Sequence, residues 1–340
     1  MGIVDTASGF WSAARMEFAA ALLAALRSSR RVLLTGPEGP DGDSIGACLA
    51  LQRAAAKLAP DVHVDVAGDP GFRYAWMSGA SEMVADADVS DYDGVVVLDG
   101  DRTRLTRSVG RAFAGARWTG LIDHHRSSGI DGYTLPWLDA AAESTCVMVR
   151  RLLGHWGVAL DRTYAEALYT GIIYDTGAFR YSNTRAGTHT LAAELLGHGI
   201  EHWKICERVL MDRRLSGLRL QARVCDEARG LARGRVLVGV CTQAAMAELG
   251  AEDQDVEGIV DALQHVQGVE LAALVVERGE GRCKVSLRSR GGVDVAALAQ
   301  RLSVHGGGHA KAAGATLSMS IAEAVGRVEA ALEAALVEGR

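Results

Sequence analysis

The chain has 340 residues, 49% hydrophobic and 23% charged, with a formal net charge of −6. That length suits one large or two medium domains, and that composition excludes a disordered or fibrous chain. The acidic balance argues against a long nucleic-acid-binding surface and leaves room for a short anionic substrate in a local basic pocket.

The apolar stretch Phe18 to Leu26 predicts a first amphipathic helix, and Val32–Thr35 a strand. Ser44 to Leu58 reads as a helix with Ser44 as its N-cap. Val62–Val66, Gly94–Leu98 and Gly120–Ile122 read as strands, and Glu143 to Leu153 and Arg162 to Tyr174 as helices. Such alternation predicts an α/β fold with a doubly wound parallel sheet. After Thr184 the pattern is helical, over Thr188–Leu196 and Glu201–Ala228, with no turn signal inside either run. From Arg235 the order is strand (Val236–Cys241), helix (Val256–His265), strands (Leu271–Glu277, Cys283–Arg288) and helix (Val293–Leu302). A glycine-rich turn and a last helix, Ile321–Val337, follow. We therefore expect two lobes: a catalytic metal-binding domain over 1–190, a helical connector over 191–228, and a smaller substrate-binding α/β domain with a mixed sheet over 229–340.

Six cysteines (Cys48, Cys146, Cys206, Cys225, Cys241, Cys283) are scattered without CxxC spacing, as reduced thiols of a cytoplasmic protein would be. No apolar run reaches the roughly 18 residues of a membrane helix, so no membrane partner is expected. The N-terminus lacks the basic, apolar and small-residue pattern of a secretory signal.

Three carboxylate clusters follow strand-like runs. Asp41-Gly42-Asp43 follows Val32–Thr35, Asp99-Gly100-Asp101 follows Val95–Leu98, and Asp123-His124-His125 follows Thr119–Ile122. If these strands are neighbours, their C-terminal ends bring the clusters into one crevice, where open α/β sheets bind ligands. Carboxylate and imidazole ligands together suit manganese, iron or zinc better than calcium. Like charges at that density need cations between them. The pattern predicts a metal-dependent hydrolase with two metals and an anionic substrate. Asp99 is the natural bridging ligand. Asp101 is read either as supporting a ligand or as solvated. His124 is read as a ligand and His125 as a substrate contact or proton donor, with Asp123 orienting one of the two imidazoles. Asp175 ends an apolar helix, where a carboxylate opposes the dipole unless a metal uses it.

A second site is expected near the C-terminus. Gly306-Gly307-Gly308-His309 precedes Lys311-Ala312-Ala313-Gly314, and successive glycine N–H groups before a helix-like start can face an anion. Arg288-Ser289-Arg290 ends a strand and offers guanidinium groups for phosphate.

Together these motifs resemble the DHH phosphoesterases that carry a DHH-associated C-terminal domain, and within them the bacterial nanoRNase group. The resemblance runs from about Phe18 to about Val337 through Pro40–Gly46, Val97–Asp99, Asp123–His125, Gly171–Thr184, Val285–Arg290 and Gly306–Gly314. It implies two manganese-type ions held by Asp41, Asp43, Asp99, His124 and Asp175. It also implies substrate binding by Arg288, Ser289, Gly306, Gly307, Gly308 and His309. The implied reaction is hydrolysis of very short RNA, of 3′-phosphoadenosine-5′-phosphate, or of both, and a homodimer is one expected state of the protein. Cyclic or linear dinucleotide hydrolysis, and a nucleotide-binding regulator with weakened catalysis, are the rival readings. Two departures stand out. Pro37 occupies the place of the family's first-motif histidine, leaving Glu38 or water to replace it, and Val304-His305 precedes the glycines where an aromatic and a glycine are usual.

Overall fold

The computed structural model describes residues 12–85, 91–279, 281–304 and 306–338; His305 lies outside them. The chain divides into two units, Met1–Asp212 and Arg213–Arg340.

The first unit runs α1 (Ala13–Arg27), β1 (Arg31–Thr35), α2 (Gly42–Leu58), β2 (His63–Ala67), α3 (Gly71–Tyr74), β3 (Gly94–Leu98), α4 (Arg107–Gly115), β4 (Trp118–Asp123) and β5 (Leu135–Leu138). It continues through α5 (Thr145–His155), α6 (Arg162–Asp175), α7 (Ala186–Leu196) and α8 (His202–Cys206). Its five strands are all parallel in the order β2-β1-β3-β4-β5. The chain winds one way from β1 to β2 and the other way through β3, so a crevice opens between the C-terminal ends of β1 and β3. Helices cover both faces. Val32, Leu34, Val96, Leu98 and Ile122 join the core under α1, α2, α5 and α6. Leu33 and Val95, pointing the other way by the period of two, pack with Val109 and Ala112 of α4. Burial on both faces is why these strands read as unbroken Val/Leu runs.

Two expectations are corrected here. Helix α2 begins at Gly42, and its N-cap is Asp41 rather than Ser44. The Asp41 carboxylate accepts from Asp43 N at 2.9 Å and Ser44 N at 3.2 Å, and the Ser44 hydroxyl accepts from Asp41 N at 2.9 Å, closing a capping box. The run expected as one helix over Glu201–Ala228 is broken. Helix α8 passes into a π-helical turn at Glu207–Met211, Asp212 is extended, and α9 (Leu215–Asp226) restarts after an extended Arg214. The Arg214 guanidinium is held at 2.6 Å by Glu252, an ion pair that no local signal in the sequence encodes.

In the second unit, β6 (Arg229–Leu231), β7 (Val236–Cys241), α10 (Gln243–Leu249), α11 (Ile259–Gln264), β8 (Leu271–Arg278) and β9 (Arg282–Ser289) follow α9. Then come α12 (Val295–Leu302), β10 (Gly307–His309), β11 (Ala312–Ser318) and α13 (Ile321–Glu338). The sheet order is β10-β11-β9-β8-β7-β6, with only β7 and β8 parallel, so it is mixed as expected. Helices α12 and α13 cover one face and α9 and α11 the other. The helix expected from Val256 starts at Ile259, because Gly258 takes a left-handed φ of 81° before it. No helix among the described residues is long and apolar enough to cross a membrane.

Helices α2 and α6 approach closely at glycines. A Cβ at Gly46 would sit 2.4 Å from the Ala167 carbonyl oxygen, a backbone atom that cannot swing aside. Gly46→Ala should therefore push α2 off α6 and cost about 1–3 kcal/mol by overpacking. Urea unfolding at equilibrium checks this, and a midpoint equal to wild type would mean the helices part without strain.

Candidate active site

The crevice at the ends of β1, β3 and β4 gathers the carboxylates. Asp43 sits in the first turn of α2 and is fully buried. Both its oxygens are taken by the N-terminus of α5: Oδ2 accepts from Thr145 N at 2.6 Å and Oδ1 from Cys146 N at 2.9 Å. Ser144 caps that helix, so two orphan N–H groups face a carboxylate at the positive end of the dipole. The Thr145 hydroxyl donates to Asp99 Oδ1 at 3.2 Å, linking the two acids. Thr145, Cys146 and Gly171 are missing from the residues expected by sequence. The Ser-Thr pair before an apolar helix was the one local signal for them. Gly171 carried none: a Cβ there would lie 2.4 Å from Asp43 Oδ1.

Asp99 leaves β3 with a left-handed φ of 65°, a conformation that costs a non-glycine residue energy and concentrates at functional sites. His124 Nε2 lies 2.9 Å from Asp175 Oδ2, 3.3 Å from Asp99 Oδ1 and 3.9 Å from Asp43 Oδ2. Donor atoms of Asp43, Asp99, His124 and Asp175 all fall within 4.8 Å of one another, and so do those of Asp99, Asp123 and His125. Asp99 is common to both groups. Three carboxylates with one imidazole form a donor set that fits a divalent transition-metal ion. Asp41 belongs to neither group, and its Oδ1 is engaged by the α2 cap. Its charge still bears on Asp99.

Asp123 orients His125 rather than His124. Its Oδ1 accepts from His124 N at 2.8 Å and His125 N at 3.2 Å, and meets His125 Nδ1 at 2.8 Å. Burial opposes its charge, but the contacts with His125, Ser128 and His124 together outweigh burial and hold the carboxyl down at about 2. Asp101 is buried, not solvated: it accepts from Thr103 N at 2.9 Å and from Gly129 N at 2.9 Å, tying the ends of β3 and β4 together. Asp175 is the last residue of α6, and the Asn183 amide donates to its carbonyl at 3.0 Å.

The residues of the second unit are placed differently from expectation. Gly307, Gly308 and His309 form β10, paired antiparallel with Ala312–Gly314, so the glycine run is an arm of a hairpin and no helix follows it. Packing explains the glycines. A Cβ at Gly306 would meet the Ala299 carbonyl oxygen at 2.0 Å, and Gly308, at φ 136°, would meet the Ala312 oxygen at 2.6 Å. Arg288 Nε donates to Asp261 at 2.7 Å. Ser289 is buried at the end of β9, with its hydroxyl lacking a hydrogen-bond partner among the described residues.

Electrostatics follow from burying like charges together. Burial first, then the charges of Asp41 and Asp43, push Asp99 well above the usual carboxylate range. Burial and Asp43 raise Asp175 to about 6, against the pull of His124. Burial disfavours the His124 cation, but Asp175 and Asp99 outweigh it and raise the imidazole well above its ordinary value. All three shifts make the metal-free fold hold more protons than the unfolded chain. Its stability from these groups is therefore present at low pH and lost as pH rises through about 6 and beyond. A cation must displace those protons. Chelator-treated protein should lose thermal stability between mildly acid and mildly alkaline buffer, and manganese should restore more of it at the alkaline end. Calorimetric scans with and without metal check this. A manganese effect that shrinks as pH rises would contradict the assignment.

Comparison with known proteins adds the lineage. Residues 31–172 match the DHH family N-terminal domain, and residues 234–338 the DHHA1 domain. The bifunctional oligoribonuclease and PAP phosphatase NrnA of Thermus thermophilus is 33% identical over 278 residues, covering 82% of this chain and 81% of the relative. The cyclic-di-AMP phosphodiesterase GdpP of Geobacillus thermodenitrificans is 26% identical over 88% of this chain, a match that spans 46% of that larger protein. The crystal structure of an exopolyphosphatase-related protein from Bacteroides fragilis superposes with a TM-score of 0.80 at 25% identity, covering 93% of this chain and 96% of that one. Sequence, sheet order and the carboxylate-histidine crevice thus agree, and the chain belongs to the DHH family of phosphoesterases, with a DHHA1 domain following its DHH domain.

Proposed function

We propose that the protein hydrolyses the phosphodiester bonds of very short RNA and removes the 3′-phosphate of 3′-phosphoadenosine-5′-phosphate, the two activities that name its Thermus relative. The observation that carries this reading is the group Asp43, Asp99, His124 and Asp175, whose donor atoms all lie within 4.8 Å of one another. Asp43, Asp99, His124 and Asp175 would hold one divalent cation, manganese in our reading, and Asp99 with Asp41 a second. Bound there, such ions supply Lewis-acid polarisation of the phosphoryl group and lower the pKa of water.

The chain's own residues do the rest. Thr145 N and Cys146 N fix the Asp43 carboxylate, so it needs no reorganisation when the substrate arrives. Asp123 holds His125 Nδ1, leaving Nε2 as the ring atom that can pass a proton to the leaving oxygen. In the DHHA1 domain we assign substrate binding to Arg288, Ser289, Gly306, Gly307, Gly308 and His309. The Arg288–Asp261 pair would hold the guanidinium in place until a phosphate competes for it.

Cyclic-dinucleotide hydrolysis is the second reading, favoured by the likeness to GdpP. A single panel separates the two: a dinucleotide, 3′-phosphoadenosine-5′-phosphate and a cyclic dinucleotide, each with manganese. Turnover of the first two, abolished in Asp99→Asn with the fold intact by circular dichroism, is the expected result. Turnover of the cyclic compound alone, or an active Asp99→Asn enzyme, would overturn the proposal.

Pro37 bears on the second cation. It is buried, with its Cβ 3.5 Å from where a Cβ at Gly100 would stand, while Glu38 is exposed and its N–H donates to the Arg104 carbonyl at 2.8 Å. We therefore assign the missing ligand to water rather than to Glu38. Metal titration should resolve one tight and one loose ion, and Pro37→His should tighten the loose one. Two equally tight ions in the wild type would refute this.

A further inference from the structure

Between Asp101 and Asp123 the sequence carries five arginines and neither an acid nor a lysine, in a chain whose net charge is −6. Arg102 and Arg104 lie on a 3-10 turn, Arg107 and Arg111 on α4, and all four are exposed. The fifth, Arg117, pairs with Asp93 at 2.8 Å. Arginines elsewhere commonly find carboxylates, as Arg15, Arg31, Arg150 and Arg235 do. Arg104, Arg107 and Arg111 make no ion pair or side-chain hydrogen bond among the described residues, and neither does exposed Arg126. Nor do these charges serve their helix. Arg107 stands in the first turn of α4, at the positive end of the dipole, with no acid in that turn and no base in the last.

The arginine segment is tied to the active site. Asp101, two residues after Asp99, accepts from Thr103 N and from Gly129 N. Arg102 N donates to the Tyr133 hydroxyl at 2.7 Å, and the rings of Phe113 and Tyr133 meet edge to face at 5.2 Å. These contacts join the segment to the loop that follows His125 and carries Arg126. The acids bonded to the segment are Asp101, which caps the turn, Glu38, bonded through its backbone to Arg104, and Asp131, whose carbonyl accepts from Arg102 Nε at 3.1 Å. Arg102, Arg104, Arg107, Arg111 and Arg126 outnumber these three acids and leave the stripe positive. The apolar side of α4, Val109 and Ala112, is buried against the sheet, so the stripe has no apolar face to insert into a lipid surface.

We propose that Arg104, Arg107 and Arg111, flanked by Arg102 and Arg126, form a phosphate track for a single-stranded oligonucleotide, engaging the part of the strand that extends beyond the scissile bond. The track rests on the phosphoesterase reading of the adjoining crevice. It makes affinity grow with substrate length by charge, without sequence preference.

The test uses the full chain in chelator, where cleavage cannot occur, and labelled RNAs of about two, five and twelve nucleotides. Fluorescence anisotropy across a salt series should show wild type gaining affinity with length. Substituting Arg104, Arg107 and Arg111 together by glutamine should weaken the longest RNA roughly tenfold or more and flatten its log-log salt slope by about 2, near 0.7 per lost contact. Substitution of the same three by lysine should retain most of the length dependence. Equal affinity and slope in wild type and the glutamine variant would overturn the track. So would equal losses with lysine and glutamine, or a loss of binding to phosphatidylserine vesicles in place of RNA. Dinucleotide turnover by wild type with manganese is measured in parallel. Its absence would sink the hydrolase reading while the anisotropy still decides the track.

Discussion

Two buried carboxylates and a half-buried third, within reach of one imidazole, are the constraint around which the first unit is organised. Asp43, Asp99 and Asp175 would repel one another strongly in a crevice with little water. That repulsion and the burial favour the protonated forms of Asp99 and Asp175, and the two acids favour the charged form of His124. The same oxygens could serve as ligands to a divalent cation. The crevice is thus costly as a protein interior and suitable as a cation site, and the elements around it keep its acids from moving apart.

Those elements act through the backbone as much as through side chains. The N-terminus of α5 delivers two N–H groups to Asp43, and the turn after β4 delivers two more to Asp123. Each carboxylate is oriented by donors that need no rotamer of their own. Glycines at Gly46 and Gly171 let α2 and α6 approach until Asp43 lies against α6, whose last residue is Asp175. Close helix packing and acid placement are therefore one feature. The left-handed Asp99 is the strained member of the set, at the point where the sheet changes winding direction.

Charge is partitioned unevenly around this centre. The acids are concentrated in the crevice, and a run of exposed arginines starts one residue beyond Asp101. Net charge averages over both and hides the second. A chain that is acidic overall can still present a local positive surface, and short-range screening makes the local surface the one a phosphate meets.

The sequence by itself determined the two lobes, the parallel sheet with most of its strands, and the strand ends that bear Asp99 and Asp123. Burial on both faces and the 3.6 period leave their mark residue by residue. Gly94–Leu98 begins and ends where expected, as does the start of α6 at Arg162. It also determined that carboxylates and imidazoles would converge, because parallel strands align their C-terminal ends. Only the tertiary structure decided which atoms hold them. Thr145 N reaches Asp43 across 102 residues of chain, and Asp261 reaches Arg288 across 27, contacts fixed by packing register rather than by any local pattern. The same holds for the glycine run at Gly306–Gly308. A glycine is compatible with an anion-binding loop and with a crowded hairpin alike, and the neighbouring backbone of Ala299 and Ala312 chose the hairpin. Local sequence specifies what a segment can become, and steric exclusion by distant segments selects among those outcomes.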